Sequence, residues 1–252
     1  PKAEKVYDGN ALTADGTISG FVNGETATFI TTGSQTEVGN SKNTYTLTWD
    51  RTAKETNYTV SENLGTLKVT PKSIVPDKPD TPDDEKTGIT VTNPSDSKYD
   101  GAVHKNKPVV TDSRTKATLE EGKDYTLSYS EDVTNAGTVT VKVTGKGNYE
   151  GEFEVRYQIT KRTVTLTTAS DRQVYNGKAL TNDKVTVGGD GFAKGEGASY
   201  DVTGSQTDVG TSKNKFGYTL KENTKASNYN ITKAEGDLEV TPITDKVTVT
   251  IK

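Results

Sequence analysis

Phe153-Glu154-Val155-Arg156-Tyr157-Gln158-Ile159 alternates large apolar side chains with charged or polar ones without a break. Successive side chains of an extended backbone point to opposite faces, so this stretch has one apolar face and one wet face, as a half-buried strand does. The same period of two runs through Tyr45-Thr46-Leu47-Thr48-Trp49, Tyr125-Thr126-Leu127-Ser128-Tyr129, Val139-Thr140-Val141-Lys142-Val143 and Val247-Thr248-Val249-Thr250-Ile251. No sustained i, i+3, i+4 apolar stripe competes with it, and the most helix expected is a single turn over residues 20–25. A hydrophobic content of 29% is low enough to suggest disorder. The alternation argues instead for an all-β chain.

Outward from these strands the chain repeats itself. Lys5-Val-Tyr-Asp-Gly-Asn-Ala-Leu12 returns as Gln173-Val-Tyr-Asn-Gly-Lys-Ala-Leu180, and Gly20-Phe-Val-Asn-Gly-Glu25 returns as Gly191-Phe-Ala-Lys-Gly-Glu196. Residues 33–71 align with 204–242 without a gap, and 18 of the 39 pairs are identical. Unrelated chains of ordinary composition would share roughly two to four. The middle of the chain is a more distant copy. It keeps Lys98-Tyr-Asp-Gly101 near its start and Asn148-Tyr149 ahead of its last strand, matching Asn57-Tyr58 and Asn228-Tyr229 in the outer copies. All three copies close alike, with Leu67-Lys-Val-Thr-Pro71, Tyr157-Gln-Ile-Thr-Lys161 and Leu238-Glu-Val-Thr-Pro242.

This organisation predicts three tandem small antiparallel β domains, each an immunoglobulin-like sandwich of short strands. A β-grasp arrangement is the alternative should residues 20–28 form a real helix. The expected division is a first repeat at 1–71, a linker at 72–87, a second repeat at 88–161, a third at 162–242, and the opening strand of a further repeat at 243–252. Pro76, Pro79 and Pro82, with the acids around them, predict an extended linker reaching up to about 50 Å. The second and third repeats have no such spacer.

The combination of Val-Tyr-Asp-Gly, Gly-Phe-x-x-Gly-Glu, Val-Gly-x-Ser-Lys, Asn-Tyr and a closing Val-Thr-Pro resembles the YDG/MBG-type repeats of large bacterial cell-surface proteins. The middle copy, with Asp124-Tyr-Thr-Leu-Ser-Tyr129 and Asn135-Ala-Gly-Thr-Val-Thr-Val141, looks like a sister repeat lacking the Gly-Phe-x-x-Gly-Glu and Gly-Ser-Gln-Thr segments. The resemblance covers nearly the whole chain. It implies a wall-anchored or secreted adhesin or stalk, outside the cell, and supplies no catalytic or binding residues.

Composition narrows the function classes. A net charge of −4 with no basic cluster gives no reason to expect nucleic acid as a partner. No apolar run approaches the ~18 residues that span a bilayer. The chain opens at Pro1, which reads as a mature fragment. Cysteine and methionine are both absent, which removes thiol chemistry and disulfides together. Among candidates for chemistry, His104 is the only histidine and sits beside a turn, where a surface role is expected rather than that of a triad base or zinc ligand. The 35 acidic residues are expected to be solvated rather than paired for glycoside hydrolysis. The linker acids from Asp77 to Glu85 lack the glycine bend of a calcium loop. The glycine-rich stretch 188–197 lacks a phosphate-binding pattern and is expected to be a mobile loop. Trp49 alternates in phase with Tyr45 and Leu47, which predicts a core position rather than a sugar platform. No strand brings a lysine, an asparagine and an acid together as an isopeptide crosslink requires.

No catalytic, cofactor-binding or metal-ligating residue is therefore expected, and the chain reads as a non-catalytic stalk or adhesin rather than an enzyme. Its expected partners are neighbouring repeats of the same protein, with a host glycan or protein as the alternative ligand. The strand carrying Val247, Val249 and Ile251 has no sheet of its own within the three repeats. It is a candidate for head-to-tail self-association by strand addition.

Overall fold

The computed structural model describes residues 2–251. The chain is all-β: strands recur from Ala3 to Thr241, and the only helical elements among the described residues are two 3-10 turns, Glu55–Asn57 and Ala226–Asn228. Residues 20–28 form no helix. A turn closed by the Glu25 amide on the Val22 carbonyl (3.0 Å) takes its place, which removes the premise of a β-grasp arrangement.

The strands are not purely antiparallel. In each repeat the strand that leads into the Tyr-turn motif lies parallel to the closing strand. Ala3–Val6 pairs with Thr66–Thr70, Ser97–Lys98 with Ile159–Thr160, and Asp171–Val174 with Asp237–Thr241. The motif tyrosine extends the ladder in every case. Tyr7, Tyr99 and Tyr175 donate their backbone N–H to the carbonyls of Thr70, Thr160 and Thr241 at 2.9, 2.9 and 2.8 Å. In the outer repeats the closing strand is flanked on its other side by an antiparallel partner, Gly39–Lys42 or Gly210–Lys213, in matching register. A separate hairpin, Thr28–Thr31 with Tyr45–Thr48 or Ala198–Val202 with Phe216–Leu220, completes the correspondence.

The chain divides into two compact units. One takes Pro1–Pro94, Lys107–Ser130 and Thr140–Arg156; the other takes Ser95–Asn106, Glu131–Val139 and Tyr157–Lys252. The middle repeat contributes to both, so repeat borders and unit borders are different divisions of the chain.

In the first unit, Ile74, Ile89, Val110, Leu119, Tyr125, Val143 and Tyr149 form one buried cluster. Ile74 and Ile89 stand on either side of the expected linker, and both are fully buried. Lys72–Ser73 is a strand parallel to Tyr149–Glu150, and Ile89–Thr92 is a strand antiparallel to Val109–Asp112. The segment between them is thus a loop that leaves and re-enters one core, not an extended spacer. Asp77 closes it, accepting the amides of Thr87 and Gly88 at 2.8 and 2.7 Å and the Thr87 hydroxyl at 2.8 Å. Turns at Lys78–Thr81 and Pro82–Lys86 bend the chain around and after Pro79 and Pro82. Burial of Ile74 and Ile89, together with a carboxylate satisfied by three donors, outweighs the local preference of proline for extension.

In the second unit, Arg162–Thr168 is the central strand of a three-stranded sheet. It lies antiparallel to Val185–Gly189 and parallel to Tyr229–Ala234, and it buries Val164, Leu166 and Thr168.

Candidate functional site

The shared motifs meet at one place in each outer repeat. The Tyr58 hydroxyl donates to Glu25 Oε2 (2.6 Å) and accepts the Val22 amide (3.3 Å), while its ring meets Phe21 edge-on at 5.2 Å. In the third repeat the Tyr229 hydroxyl donates to Glu196 Oε2 (2.6 Å) and accepts the Ala193 amide (3.0 Å), with Phe192 at 5.2 Å. The Gly-Phe-x-x-Gly-Glu and Asn-Tyr segments are therefore two halves of one clamp. Both phenols are held above the ordinary tyrosine pKa. At Tyr229 burial is the first cause and the Glu196 carboxylate adds to it, raising the value to about 12; at Tyr58 the hydrogen bond to Glu25 leads.

The Asn-Tyr pair does a second thing: it receives the repeat before it. Asn148 Oδ1 accepts the Val38 amide (2.9 Å), Asn148 Nδ2 donates to Glu37, and Tyr149 meets Tyr7 edge-on at 5.7 Å. Eighty residues on, the arrangement recurs. Asn228 Oδ1 accepts the Ala136 amide (2.8 Å), Asn228 Nδ2 donates to Asn135 Oδ1 (3.0 Å), and Tyr229 meets Tyr99 edge-on at 5.7 Å. The donor loops share their backbone as well: the glycines that follow, Gly39 and Gly137, take φ of 149° and 159°. Tyr99 also donates to Glu196 Oε1 (2.5 Å), so one carboxylate holds a tyrosine from each repeat. Each joint is completed by the chain itself. The strand after one repeat's closing strand enters the next repeat, pairing Lys72 with Tyr149 and Arg162 with Tyr229 in identical register.

Two unmatched halves remain among the described residues. Tyr175, Asp208, Val209 and Gly210 reproduce the donor half. Gly210 has a φ of 150°, and Tyr175 and Val209 are 37% and 54% exposed. Asn57 and Tyr58 reproduce the receiving half; Asn57 is exposed, whereas its counterpart Asn228 is fully buried. Beside Tyr58 lies a groove of about 520 Å³ lined by residues 16–20 on one flank and 58–65 on the other, with Phe21, Tyr45 and Trp49 along its wall. Neither flank is in a strand. By the gap-free repeat alignment the 58–65 flank matches the neighbourhood of Tyr229–Ala234, and through the Gly20/Gly191 motif the 16–20 flank matches that of Val185–Gly189, the two strands between which Arg162–Thr168 is inserted.

Trp49 is therefore half-buried on a groove wall rather than enclosed in a core. It stacks on Tyr58 at 5.8 Å and 18° and faces Phe21 edge-on at 6.1 Å. Its alternation with Tyr45 and Leu47 was a sound guide to the face it occupies. Alternation does not report whether another strand covers that face.

The remaining candidates hold structural positions. The His104 ring contacts Asp100 Oδ1 at 2.9 Å, and its backbone binds the Val133 carbonyl and the Tyr157 hydroxyl. Among the linker acids, Asp77 closes the loop and Asp83 pairs with Lys86 at 2.6 Å. No group of three or more His, Cys, Asp or Glu side chains suited to a metal occurs among the described residues. The glycine-rich stretch is anchored rather than mobile. The Arg162 guanidinium donates to the carbonyls of Asp190 and Gly191, and Asp190 accepts the amide and hydroxyl of Thr163 at 2.9 and 3.0 Å. With Lys98 also bound to it, the Asp190 carboxyl is held well below its usual range, the lysine being the leading cause. The segment with Val247, Val249 and Ile251 is in no strand, and those side chains are 92, 79 and 90% exposed.

Sequence reading missed the most buried ion pair among the described residues. Lys72 Nζ lies 2.7 Å from both oxygens of Asp112, with the two side chains 5% and 0% exposed, and the Tyr149 hydroxyl donates to the same carboxylate at 3.1 Å. Burial, with Asp112 alongside, raises the Tyr149 phenol far above its ordinary value. The available signal was Lys72 preceding Ile74 in phase with the closing strand; the prolines that follow obscured it.

No protein-family model matches the chain, and a search of curated proteins finds no significant match.

Proposed function

We propose that this chain is a non-catalytic repeat region of a bacterial cell-surface protein, acting outside the cell as a stalk or adhesin. The observation that carries this reading is the twice-used joint at Asn148-Tyr149 and Asn228-Tyr229, in which the same residue types bind the same part of the preceding repeat. A joint specified by short motifs lets copies be added in series, each seated on the next by hydrogen bonds, ring packing and a shared strand. A projecting stalk needs that property. The positions of His104 and Asp77, one beside a turn and the other closing a loop, are compatible with this reading. The test is surface display of the chain between a wall anchor and a reporter epitope. Antibody access to the epitope should improve when the chain is present and improve again when its repeats are duplicated. Equal access with and without the chain would refute the stalk reading.

A second reading, capture of a host glycan, is favoured by the groove in which Trp49 and Tyr58 present aromatic surface. A glycan array on the intact chain tests it, with binding expected to disappear in Trp49→Ala.

A further inference from the structure

We propose that Lys72 and Asp112 condense into an intramolecular amide, so that the first unit carries a covalent side-chain link between the strands Lys72–Ser73 and Val109–Asp112. This inference does not rest on a cell-surface role. The chain has no cysteine and so no disulfide. The fold instead brings an amine and a carboxyl group together from positions 40 residues apart.

Three features of the site favour condensation over a lasting ion pair. The reacting groups are already in contact, with Nζ 2.7 Å from both oxygens of the one carboxyl group. Well-oriented groups held in this way react as though at about 10⁵–10⁸ M. The pair is also dry, with side chains 5% and 0% exposed. In water, hydration favours the separate ions; burial removes that hydration, whereas the amide carries no charge and its water product escapes to solvent. Finally, the two oxygens of Asp112 are held differently. Oδ1 accepts the backbone amides of Arg114 (2.9 Å) and Thr115 (3.4 Å), donors placed to hold negative charge as it develops there. Oδ2 accepts the Tyr149 hydroxyl (3.1 Å). Burial holds that phenol far above its ordinary value, so at neutral pH it keeps its proton and remains a donor.

These positions assign the atoms of the step. One Nζ proton passes to Oδ2, which turns ammonium and carboxylate into amine and acid. The Nζ lone pair forms a bond to Cγ, and the carbonyl electron pair moves onto Oδ1. A second Nζ proton passes to Oδ2. The pair on Oδ1 then restores the double bond, the Cγ–Oδ2 bond breaks, and Oδ2 leaves as water. One hydrogen stays on the amide nitrogen, and no oxidant or cofactor is consumed. The new carbonyl keeps its two backbone donors. Tension entering at Lys72 would then pass straight to Asp112 without loading the loop that Asp77 closes.

The test is intact-mass spectrometry of the whole denatured chain, followed by peptide mapping. The parent is expected to be lighter than its sequence by one water, with a branched peptide joining Lys72 to Asp112. Lys72→Arg keeps the positive charge but has no primary amine, and is expected at full mass. Tyr149→Phe keeps the ring and loses the hydroxyl. Its linked fraction is expected to rise at least tenfold more slowly after synthesis, since losing one donor to a reacting oxygen slows acyl transfer by about 10²–10³. A folded parent that stays at full mass overturns the proposal, and this readout needs no variant to fold. Water loss without the branched peptide, as a cyclised aspartate would give, or water loss that persists in Lys72→Arg, overturns it equally. A Tyr149→Phe chain that links as fast as the parent removes Tyr149 from the step.

Discussion

Replacing Lys72 by methionine separates a linker lysine from a core lysine. A lysine in a solvated spacer can be replaced at almost no cost, with surface changes staying within about 0.5 kcal/mol. In the structure Lys72 Nζ is 2.7 Å from both oxygens of a fully buried Asp112. Methionine keeps the length and the apolar stem but removes the charge. Asp112 would keep the Arg114 amide (2.9 Å) and the Tyr149 hydroxyl (3.1 Å), which do not neutralise it. Removing one member of a buried pair costs about 3–5 kcal/mol, because the other is left uncompensated in a medium of low polarisability. Trp49 belongs to the same compact unit and is the only tryptophan, so its fluorescence reports the unfolding of that unit alone. With a urea slope of roughly 2 kcal/mol per molar, the midpoint should fall by about 1.5–2.5 M. The double variant Lys72→Met with Asp112→Leu should recover much of the loss, since apolar replacement of both partners is often neutral or better. A midpoint shift below about 0.3 M in the single variant would refute the buried-pair argument, the expected loss being several kcal/mol.

Three further outcomes are expected. Gly204→Ala would place a Cβ 2.2 Å from Asn214 Oδ1 and 2.5 Å from its Cα, so it should destabilise the second unit by about 1–3 kcal/mol; unchanged thermal unfolding would contradict the close approach of these two segments. Trp49→Ala, at a half-open site, should cost about 1–3 kcal/mol rather than the ~3–5 of a fully enclosed aromatic, and a larger loss in urea unfolding would mean the groove is closed. The raised phenol of Tyr229 binds its proton more tightly in the folded chain than in the unfolded one. Its contribution is therefore complete below pH about 10 and is lost as pH rises through about 12. Circular dichroism along an alkaline titration should show a smaller loss over that window in Tyr229→Phe than in the parent, measured from each protein's own stability near neutral pH, and identical slopes would remove Tyr229 as a cause.

Four of the five alternating stretches are strands, because period-two patterning depends only on one residue and its immediate neighbours; the fifth, Val247 to Ile251, has the pattern but lies in no strand. Val139 to Val143 and Phe153 to Ile159 both lie in nine-residue strands. The parallel pairing of Ala3–Val6 with Thr66–Thr70 was not legible, since a strand's own pattern is silent on the direction of its partner. The linker was misjudged for a related reason. Three prolines and a run of acids state a local preference, and the burial of Ile74 and Ile89 in one core is a non-local fact that overrides it. The joint was half visible: Tyr-Asp-Gly and Asn-Tyr stood out as repeated motifs, yet nothing along the chain says that the tyrosine of one repeat packs on the tyrosine of the next.

By itself the sequence determined that the chain is all-β, that it consists of three related copies, and that the shared motifs surround turns, because these properties follow from side-chain alternation, self-similarity and the torsional freedom of glycine. Only the tertiary structure decided that the strand after one repeat is buried in the next, that Lys72 is paired in a core, and that Trp49 lines an open groove. Each of these depends on hydrogen bonds and apolar contacts between segments tens of residues apart, and their free energies exceed the local preferences that a linear reading can weigh.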